Sequence, residues 1–124
     1  MSGLGIDLVE IGRLERALER RPRLAERLFT DAELAAARAR FRPGRHLAAR
    51  FAAKEAAIKA LGVAVPACEV EVEGGVREPP TLRLHGRTAA LAEERGLALD
   101  VSLTHSQEMA AAVVVAQPAG GDRR

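Results

Sequence analysis

The sequence predicts an α+β domain, in which a few strands and a few helices pack around one core. Three observations support this prediction: alternating apolar segments near both ends, a long alanine-rich segment in the middle, and turn residues between the segments. The chain has 124 residues, which suits one domain able to bury a core. We expect a single domain over residues 1–117 and a disordered tail over residues 118–124.

Near the N-terminus, LGIDLVEI (residues 4–11) alternates enough to predict a first strand that ends in a turn. Leucines at helical spacing in LERALER (residues 14–20) predict a helix, which Pro22 interrupts. The helix continues as a second short piece in RLAERLF (residues 23–29). The first quarter of the chain is therefore expected to hold one strand and one interrupted helix.

A capping box and a proline–glycine pair separate the next two helices. Thr30 followed by Glu33 predicts the start of a helix in DAELAAARARF. The Pro-Gly pair at 43–44 predicts a break after that helix. We then expect a long helix over residues 45–61, because this segment is rich in alanine and Gly62 suits its C-terminal end.

The second half of the chain is dominated by alternating segments that predict strands. A helix in GRTAALAEERGL, closed by Gly96, separates the first two strands from the last two, which are expected to form a hairpin. The four predicted strands are CEVEVEG (residues 68–74), PTLRLHG (80–86), ALDVSLTHS (98–106) and EMAAAVVVAQ (108–117). The predicted order is β-α-α-α-β-β-α-β-β, with the interrupted helix counted once.

The composition argues against several kinds of site. Cys68 is the single cysteine, so the chain cannot form an internal disulfide or a multi-cysteine metal site. The aromatic residues are three phenylalanines, which leaves little surface on which nucleic-acid bases could stack. The sequence shows no signal-peptide pattern and no apolar segment long enough to span a membrane. We therefore expect a cytoplasmic protein that binds neither nucleic acid nor membranes.

Glu55 poses a question within the long helix, in RFAAKEAAIKALG (residues 50–62). Phe51 precedes it by four residues and Ile58 follows it by three, so all three share one helix face. A carboxylate beside apolar neighbours is desolvated, which is costly unless another group compensates it. Pairing with Lys59 on a solvated face is the simplest answer.

Polar residues that packing does not require also occur in two predicted strands. Taken singly, Asp7 can cap a turn, and His105 can be an ordinary hydrogen-bonded histidine near a strand end. Taken together, Asp7 and Glu55 suit Mg²⁺, which typically takes one or two protein carboxylates and completes its shell with water and substrate phosphates. The nearby Lys54 and Lys59 would then meet the remaining phosphate oxygens.

Three motifs, in the same order, resemble those of the holo-acyl-carrier-protein synthases, the small bacterial type of 4′-phosphopantetheinyl transferase. They are GIDLVEIGRL, RFAAKEAAIKALG and VSLTHS, and the resemblance spans residues 4–116. It implies the fold of those transferases, with an antiparallel sheet packed against a long helix, and a homotrimer with active sites between subunits. It also implies Mg²⁺-dependent transfer of phosphopantetheine from coenzyme A to a serine of apo acyl carrier protein, in fatty acid biosynthesis. Adenosine 3′,5′-bisphosphate is released.

The resemblance implies roles for individual residues as well. The aspartate of G-I-D and the glutamate of K-E-A, here Asp7 and Glu55, bind the divalent metal, which is Mg²⁺ with Mn²⁺ as a substitute. The second lysine of K-E-A-x-x-K, here Lys59, contacts a phosphate of coenzyme A. The histidine of S-[IL]-[ST]-H, here His105, lies at the same site.

In the implied reaction, the oxygens around the attacked β-phosphorus need positive charge as the bond to the leaving phosphate breaks. The incoming serine must lose a proton. Glu55, directly or through a metal-bound water, is the first choice of base, and His105 is the second. Ser102 and Thr104 lie on the same strand as His105 and are further candidates for binding coenzyme A.

The N-terminal half holds most of the arginines, which suggests an acidic partner. The resemblance implies that Arg13, Arg23 and Arg27 belong to the helical region that docks the acidic acyl carrier protein, where complementary charge speeds encounter. The alternative is a solvated face on which arginines and glutamates pair locally. Five arginines share a face if the helix bends at the proline: residues 13, 16, 20, 23 and 27.

Two other functions remain open at this point. One is a phosphopantetheinyl transferase for a specialised-metabolism (polyketide) carrier domain, and the other is a non-catalytic module that binds an acidic partner through the basic half. A binding module has no use for a carboxylate pair near its phosphate site. The chain departs from the family's pattern at Ala49, at Val63-Ala64-Val65 and at Glu78-Pro79-Pro80, none of which is a residue assigned above.

Overall fold

The computed structural model describes residues 2–120, and over that range the predicted α+β class is confirmed. The segment around Pro22 forms two separate helices, so four helices follow the first strand. The strands are β1 (Gly3–Glu10), β2 (Val70–Glu73), β3 (Thr81–Leu84), β4 (Leu97–His105) and β5 (Met109–Pro118). The helices are α1 (Ile11–Arg20), α2 (Leu24–Leu28), α3 (Asp31–Arg38), α4 (Pro43–Leu61) and α5 (Gly86–Glu94).

The five strands form two antiparallel sheets. β1, β5 and β4 lie side by side in that order, and β2 pairs with β3 in a separate ribbon. The first strand of the chain is thus paired with the last one, and α4 packs across both. The expected antiparallel sheet against a long helix is confirmed, whereas the division into two sheets is not specified by the alternating pattern.

β1 approaches α4 unusually closely because two of its inward-facing residues are glycines. A Cβ on Gly5 would lie 1.8 Å from the carbonyl oxygen of Ala56, and a Cβ on Gly3 would lie 2.0 Å from that of Ala60. Any side chain at either position would collide with the helix backbone. The strand and helix backbones are therefore in direct contact, and the small side chains of α4 allow this.

Two clusters of buried apolar residues lie along α4. The first joins the C-terminal half of α4 to both sheets, and the second joins its N-terminal half to α1 and α3. Alanines supply most of the contact surface of α4 in both clusters, so neighbouring elements pack close to the helix axis. The larger buried members are Ile11, Phe29, Leu34, Leu61, Val70 and Val114.

Lys54 and Glu33 form a completely buried ion pair between α4 and α3. Lys54 Nζ lies 2.7 Å from Glu33 Oε1 and donates to the carbonyl oxygens of Ala67 and Val70 at 2.9 and 2.6 Å. The other oxygen of Glu33 accepts from the backbone N–H of Val72 at 2.8 Å. Burial lowers the pKa of Lys54, and the adjacent charge of Glu33 opposes that shift. The pair thereby ties two helices to the start of β2.

The predicted helix ends are largely confirmed. The capping box is present, since the Glu33 N–H donates to Thr30 Oγ1 and the Thr30 N–H donates to Glu33 Oε1. Gly62 ends α4 in the left-handed conformation, with φ of +72°. The prediction was wrong about Pro43, which is the first residue of α4 and not part of a break. Proline is favoured there because its missing N–H is not needed and its φ already suits a helix.

β2 begins two residues later than the alternation predicts. Residues 67–69 form a single 3₁₀ turn, in which the side chain of Glu69 turns towards α5. Glu69 Oε1 accepts from the N–H of Thr88 at 3.0 Å and from its hydroxyl at 2.8 Å. The hydrogen bonds to α5 thus replace the strand geometry that the sequence CEVEVEG predicts.

Two further boundaries differ from the predicted ones. His85 was expected within a strand, but it precedes α5, and its Nε2 lies 3.0 Å from Glu71 Oε1. The strand β5 extends through Pro118, which was expected in the disordered tail. The rest of the predicted tail has residues 119 and 120 in a turn after β5, and residues 121–124 lie outside the described range.

We expect Gly5→Ala to lower the free energy of unfolding by roughly 1–3 kcal/mol or more, because the added methyl group overlaps the Ala56 carbonyl. Urea unfolding followed by circular dichroism measures this change. Gly12→Ala is the matched control, since a Cβ there meets only the end of the Arg16 side chain, at 3.2 Å, and alanine is preferred within a helix. Equal stability of Gly5→Ala and the unaltered protein would contradict the close contact.

Candidate active site

Asp7 faces α4 from the inner side of β1. In β1 the residues alternate, so that Gly3, Gly5 and Asp7 share the face towards the helix, while Leu4 and Ile6 face outwards. Asp7 is half-buried. A carboxylate is tolerated within this strand because the residue opposite it on β5 is the small Ala112 and because α4 offers a cationic partner.

That partner is Lys59, in the last turn of α4. Lys59 Nζ lies 3.1 Å from Asp7 Oδ1 and also donates to the carbonyl oxygen of Ile6 at 2.9 Å. About half of the lysine side chain remains exposed. The ammonium group is therefore held beside the carboxylate while it stays accessible to a ligand.

Glu55 lies one turn before Lys59 on the same side of α4. The pKa of Glu55 is raised because the group is partly desolvated, and the negative charge of Asp7 raises it further, while Lys59 opposes both effects. Lys59 thus pairs with Asp7 and not with Glu55, which answers the question posed by the sequence only in part. Two carboxylates face the same space, and among the described residues the ion pair of Lys59 is with Asp7, while Glu55 forms none.

Asp7 and Glu55 open into a cleft of about 850 Å³ between β1, α1, α2 and α4. Arg13 and Glu10 add two further charged groups at its edge. The remaining wall is apolar and includes Phe51, which shares the helix face of Glu55 as the sequence predicts. The other apolar lining residues are Leu8, Val9, Leu14, Ala17, Leu24, Leu28 and Met109.

The donor set of this cleft fits a hard divalent cation. Among the described residues, no group of three or more His, Cys, Asp or Glu side chains is arranged to hold a metal ion. Asp7 and Glu55 instead supply the one or two carboxylates that Mg²⁺ commonly takes from a protein. A cation between them would also compensate the mutual repulsion that raises the pKa of Glu55.

The structure does not bring Lys54 to this cleft. Although it adjoins Glu55 in sequence, it lies on a different side of α4 and is fully buried in its pair with Glu33. The prediction that Lys54 meets substrate phosphates was therefore wrong. Successive residues on a helix are about 100° apart, so neighbours in sequence commonly face different surroundings.

His105 lies in a second pocket, of about 170 Å³, at the end of β4. Its ring packs edge-on against that of His46, with 5.6 Å between the ring centroids. Arg40 and Arg50 line the same pocket, together with the turn that contains Gly74. Within one chain, then, His105 does not share the cleft of Asp7 and Glu55.

The second pocket is rich in positive charge. The pKa of His46 is lowered because the ring is partly desolvated and because Arg40, His105 and nearby arginines repel its proton. Arg50 is largely buried, and its Nε has no hydrogen-bond partner within the described part of the chain. Such a pocket is suited to an anion.

The sequence analysis missed Arg40, His46 and Arg50. For Arg50 a signal was available, since it lies four residues before Lys54 on a face of α4 that is otherwise lined by alanine. A charged residue on such a face is buried with it and needs a partner. No comparable signal distinguishes Arg40 from the other arginines around it.

Ser102 and Thr104 lie on the outer face of the three-stranded sheet and line neither pocket. Both are exposed, and they stand opposite Val113 and Ala111 of β5. Their place on the strand of His105 is as predicted, but this face of the sheet points away from α4.

Arg23 and Arg27 border a shallow depression of about 440 Å³ with Arg21 and Pro22, between α1 and α2. Leu24 lines both this depression and the cleft of Asp7, so the two adjoin. The three arginines expected to dock a partner therefore lie along one continuous surface, with Arg13 nearest the carboxylates.

In the described range, no helix is both long and apolar enough to cross a membrane.

Comparison with known proteins places these features in a family. The family profile of the 4′-phosphopantetheinyl transferase superfamily matches residues 3–114. A holo-[acyl-carrier-protein] synthase of Moorella thermoacetica is 50% identical, with 91% of each chain covered.

Two solved structures have the same fold. The ACPS–CoA complex of Chronobacterium ammoniagenes superposes with a TM-score of 0.85 at 30% identity, covering 95% of this chain and 98% of that one. A holo-(acyl-carrier-protein) synthase of Bacillus anthracis in complex with CoA (3′,5′-ADP) gives 0.77 at 32% identity, covering 94% and 96%. With its fold, its sequence motifs and nearly its whole length matched, this chain belongs to the 4′-phosphopantetheinyl transferase superfamily.

Proposed function

We propose that this protein transfers the 4′-phosphopantetheine group of coenzyme A to a serine of apo acyl carrier protein, with release of adenosine 3′,5′-bisphosphate. The observation that carries the proposal is the convergence of Asp7 and Glu55 on one cleft, with Lys59 beside them. The names of the relatives and the coenzyme A bound to two structural neighbours support it. A role in fatty acid biosynthesis and a cytoplasmic location are parts of the same proposal.

Asp7 and Glu55 are the residues that would hold Mg²⁺, or Mn²⁺ in its place. The ion, when bound, would act as a Lewis acid on the diphosphate of coenzyme A. Lys59 keeps an exposed ammonium group at the same place, so it can neutralise a further phosphate oxygen. The chain itself thus supplies one fixed positive charge and two metal-binding carboxylates.

The hydroxyl of the incoming serine must lose a proton. Glu55 is our first choice of base, because it lies in the cleft beside Asp7, where the serine hydroxyl is proposed to react. His105 remains the second choice. It lines a different pocket of the same chain, so it could act only on a substrate that also contacts a neighbouring subunit.

The pocket of His105 is proposed to bind a phosphate of coenzyme A. Its cationic lining, and the unpartnered guanidinium Nε of Arg50, support an anionic ligand. Ser102 and Thr104, on the outer sheet face, are less suited to this role than Arg50 and His105.

The outer face of the three-stranded sheet supports the proposed homotrimer. Leu4, Ile6 and Leu8 of β1 are 65–68% exposed, although all three are large and apolar. Val115 and Val113 of β5 stand opposite Leu4 and Ile6, so the apolar surface continues from β1 onto β5. A contiguous face of this kind is typical of an interface. Copies packed through it would allow the carboxylate cleft of one subunit and the cationic pocket of another to serve one substrate.

Arg13, Arg23 and Arg27 are proposed to dock the carrier protein, which we expect to be acidic. They are exposed and lie along the surface that leads to Asp7 and Glu55. Positive charge here would speed the encounter and orient the serine towards the cleft. A non-catalytic module that uses the same arginines is less well supported, because it gives the carboxylate pair no role.

The central test is incubation of the protein with apo acyl carrier protein, coenzyme A and Mg²⁺, followed by mass spectrometry of the carrier. We expect a gain of one phosphopantetheine group.

Glu55→Gln should slow the transfer roughly 100-fold or more, because it removes a charge that holds the metal and leaves the shape nearly unchanged. The control is Glu94→Gln, at an exposed glutamate of α5. Full activity of Glu55→Gln would remove this residue from the mechanism.

Arg13→Glu should slow the reaction with carrier protein by roughly tenfold at low ionic strength, and the deficit should shrink as salt is added. Steady-state rates at several salt concentrations measure the effect. Arg87→Glu makes the same charge change on α5, at an exposed site far from the cleft in sequence. A deficit that does not depend on salt, or one that is equal in both variants, would argue against electrostatic docking by Arg13.

Ile6→Lys should dissociate the trimer, since it places a charge at the centre of the exposed apolar face. Sedimentation velocity measures the assembly state. Phe41→Lys is the control, because Phe41 is 90% exposed but lies outside the sheet. If the active sites lie between subunits, Ile6→Lys also loses transfer activity, and a fully active monomer would disprove that arrangement.

A further inference from the structure

We propose that Arg42 is a positioning residue for the carrier protein, because it fixes helix α1 against α4 and against the loop between β4 and β5. The inference rests on the proposed function, in which Arg13 of α1 docks the carrier. Arg42 itself lies just before α4 and lines neither the carboxylate cleft nor the cationic pocket.

The side chain of Arg42 joins two elements that are distant in sequence. Its Nη2 donates to Glu15 Oε1 at 3.0 Å, and its Nε donates to Glu15 Oε2 at 3.3 Å. Its Nη1 donates to the carbonyl oxygen of Gln107 at 2.8 Å. We call these contacts the Arg42 bridge. A planar guanidinium satisfies all three acceptors at once, which a lysine ammonium cannot do with the same geometry.

The backbone of Arg42 is held in an unfavourable conformation. Its φ of +53° and ψ of +74° lie in the left-handed region, and over residues 2–120 it is the single non-glycine residue with a positive φ. Such a conformation persists only where surrounding contacts determine it. The side-chain bonds to Glu15 and Gln107, and the backbone bond from the Arg45 N–H to the carbonyl oxygen of Arg42, are contacts of this kind.

Glu15 is confined on its other side by α4. A Cβ on Gly44 would lie 2.3 Å from Glu15 Oε2, so the carboxylate packs directly against the helix backbone. About 30% of the Glu15 side chain is exposed. Its carboxylate therefore fits between Arg42 and Gly44, and the midpoint of α1 cannot shift without breaking the bridge.

The bridge adds a polar restraint to α1, which also packs on α4 through the buried Ile11 and Leu14. A second contact, from the N–H of Ile11 to the carbonyl oxygen of Glu108 at 2.9 Å, fixes the start of α1 to the same loop. Arg13 lies on α1 between these two contacts. Leu14 and Ala17 of the same helix form part of the cleft wall. By contrast, the carboxylates and Lys59 are placed by β1 and α4. Loss of the bridge should therefore impair docking of the carrier and leave coenzyme A binding nearly unchanged.

Arg42→Gly is the most informative variant, because glycine adopts the left-handed conformation without strain and only the side-chain contacts are lost. We expect the KM for apo acyl carrier protein to rise roughly three- to fivefold, the upper part of the range expected for loss of one partly exposed charged pair. The KM for coenzyme A should stay within about twofold. Amide hydrogen exchange in residues 11–20 should accelerate, which reports the loosening of α1 without relying on activity.

Two further variants keep the test decisive if Arg42→Gly folds poorly. Glu15→Gln retains the shape and removes one charge of the bridge, and it should show the same changes in smaller measure. Arg38→Ala, at an exposed arginine at the end of α3, removes an equal charge nearby and should leave both KM values and the exchange of α1 unchanged. Unchanged carrier KM and unchanged α1 exchange in both Arg42→Gly and Glu15→Gln would overturn the proposal.

The outcome is distinguishable from failure of the proposed function. If the unaltered protein does not transfer phosphopantetheine, the proposed function fails, while hydrogen exchange still tests whether Arg42 holds α1. If transfer occurs and both substrates are affected equally, Arg42 has a general structural role and the specific proposal is wrong.

Discussion

The direct contact between the backbones of β1 and α4 is the constraint on which the candidate site depends. Gly3 and Gly5 leave no side chain between strand and helix, so the next inward residue, Asp7, reaches the last turns of α4. There it meets Lys59, and its charge adds to the desolvation that raises the pKa of Glu55. A larger residue in this row would push the strand outwards and separate the groups that are proposed to share a metal ion.

Much of the fold follows from local patterns. The capping box at Thr30, the end of α4 at Gly62 and the alternation in β1, β4 and β5 were predictable because each depends on residues close in sequence. The shared cleft of Asp7 and Glu55 could also be predicted, since two unexplained carboxylates in separate elements point to one site. Local patterns could not predict the division of the strands into two sheets, because that division depends on contacts between distant segments.

The failures concern residues whose surroundings come from elsewhere in the fold. From its sequence neighbours Lys54 is expected to be a solvent-exposed lysine beside Glu55, but its contact with Glu33 of α3 buries it. His105 could be placed at a strand end, but its neighbours His46 and Arg50 come from α4. Its relation to the carboxylate cleft depends further on assembly, which a single chain's sequence does not specify.

The different surroundings of Lys54 and Glu55 have a consequence for how α4 can evolve. Lys54 lies in the interior and Glu55 lines the cleft, because successive residues of a helix are rotated by about 100°. Deleting one amino acid upstream in the helix would place Glu55 in the buried position of Lys54, and inserting one would place Lys54 in the position of Glu55. A point substitution in α4 changes the surroundings of one position, whereas a change in the length of α4 alters both the buried interior and the cleft.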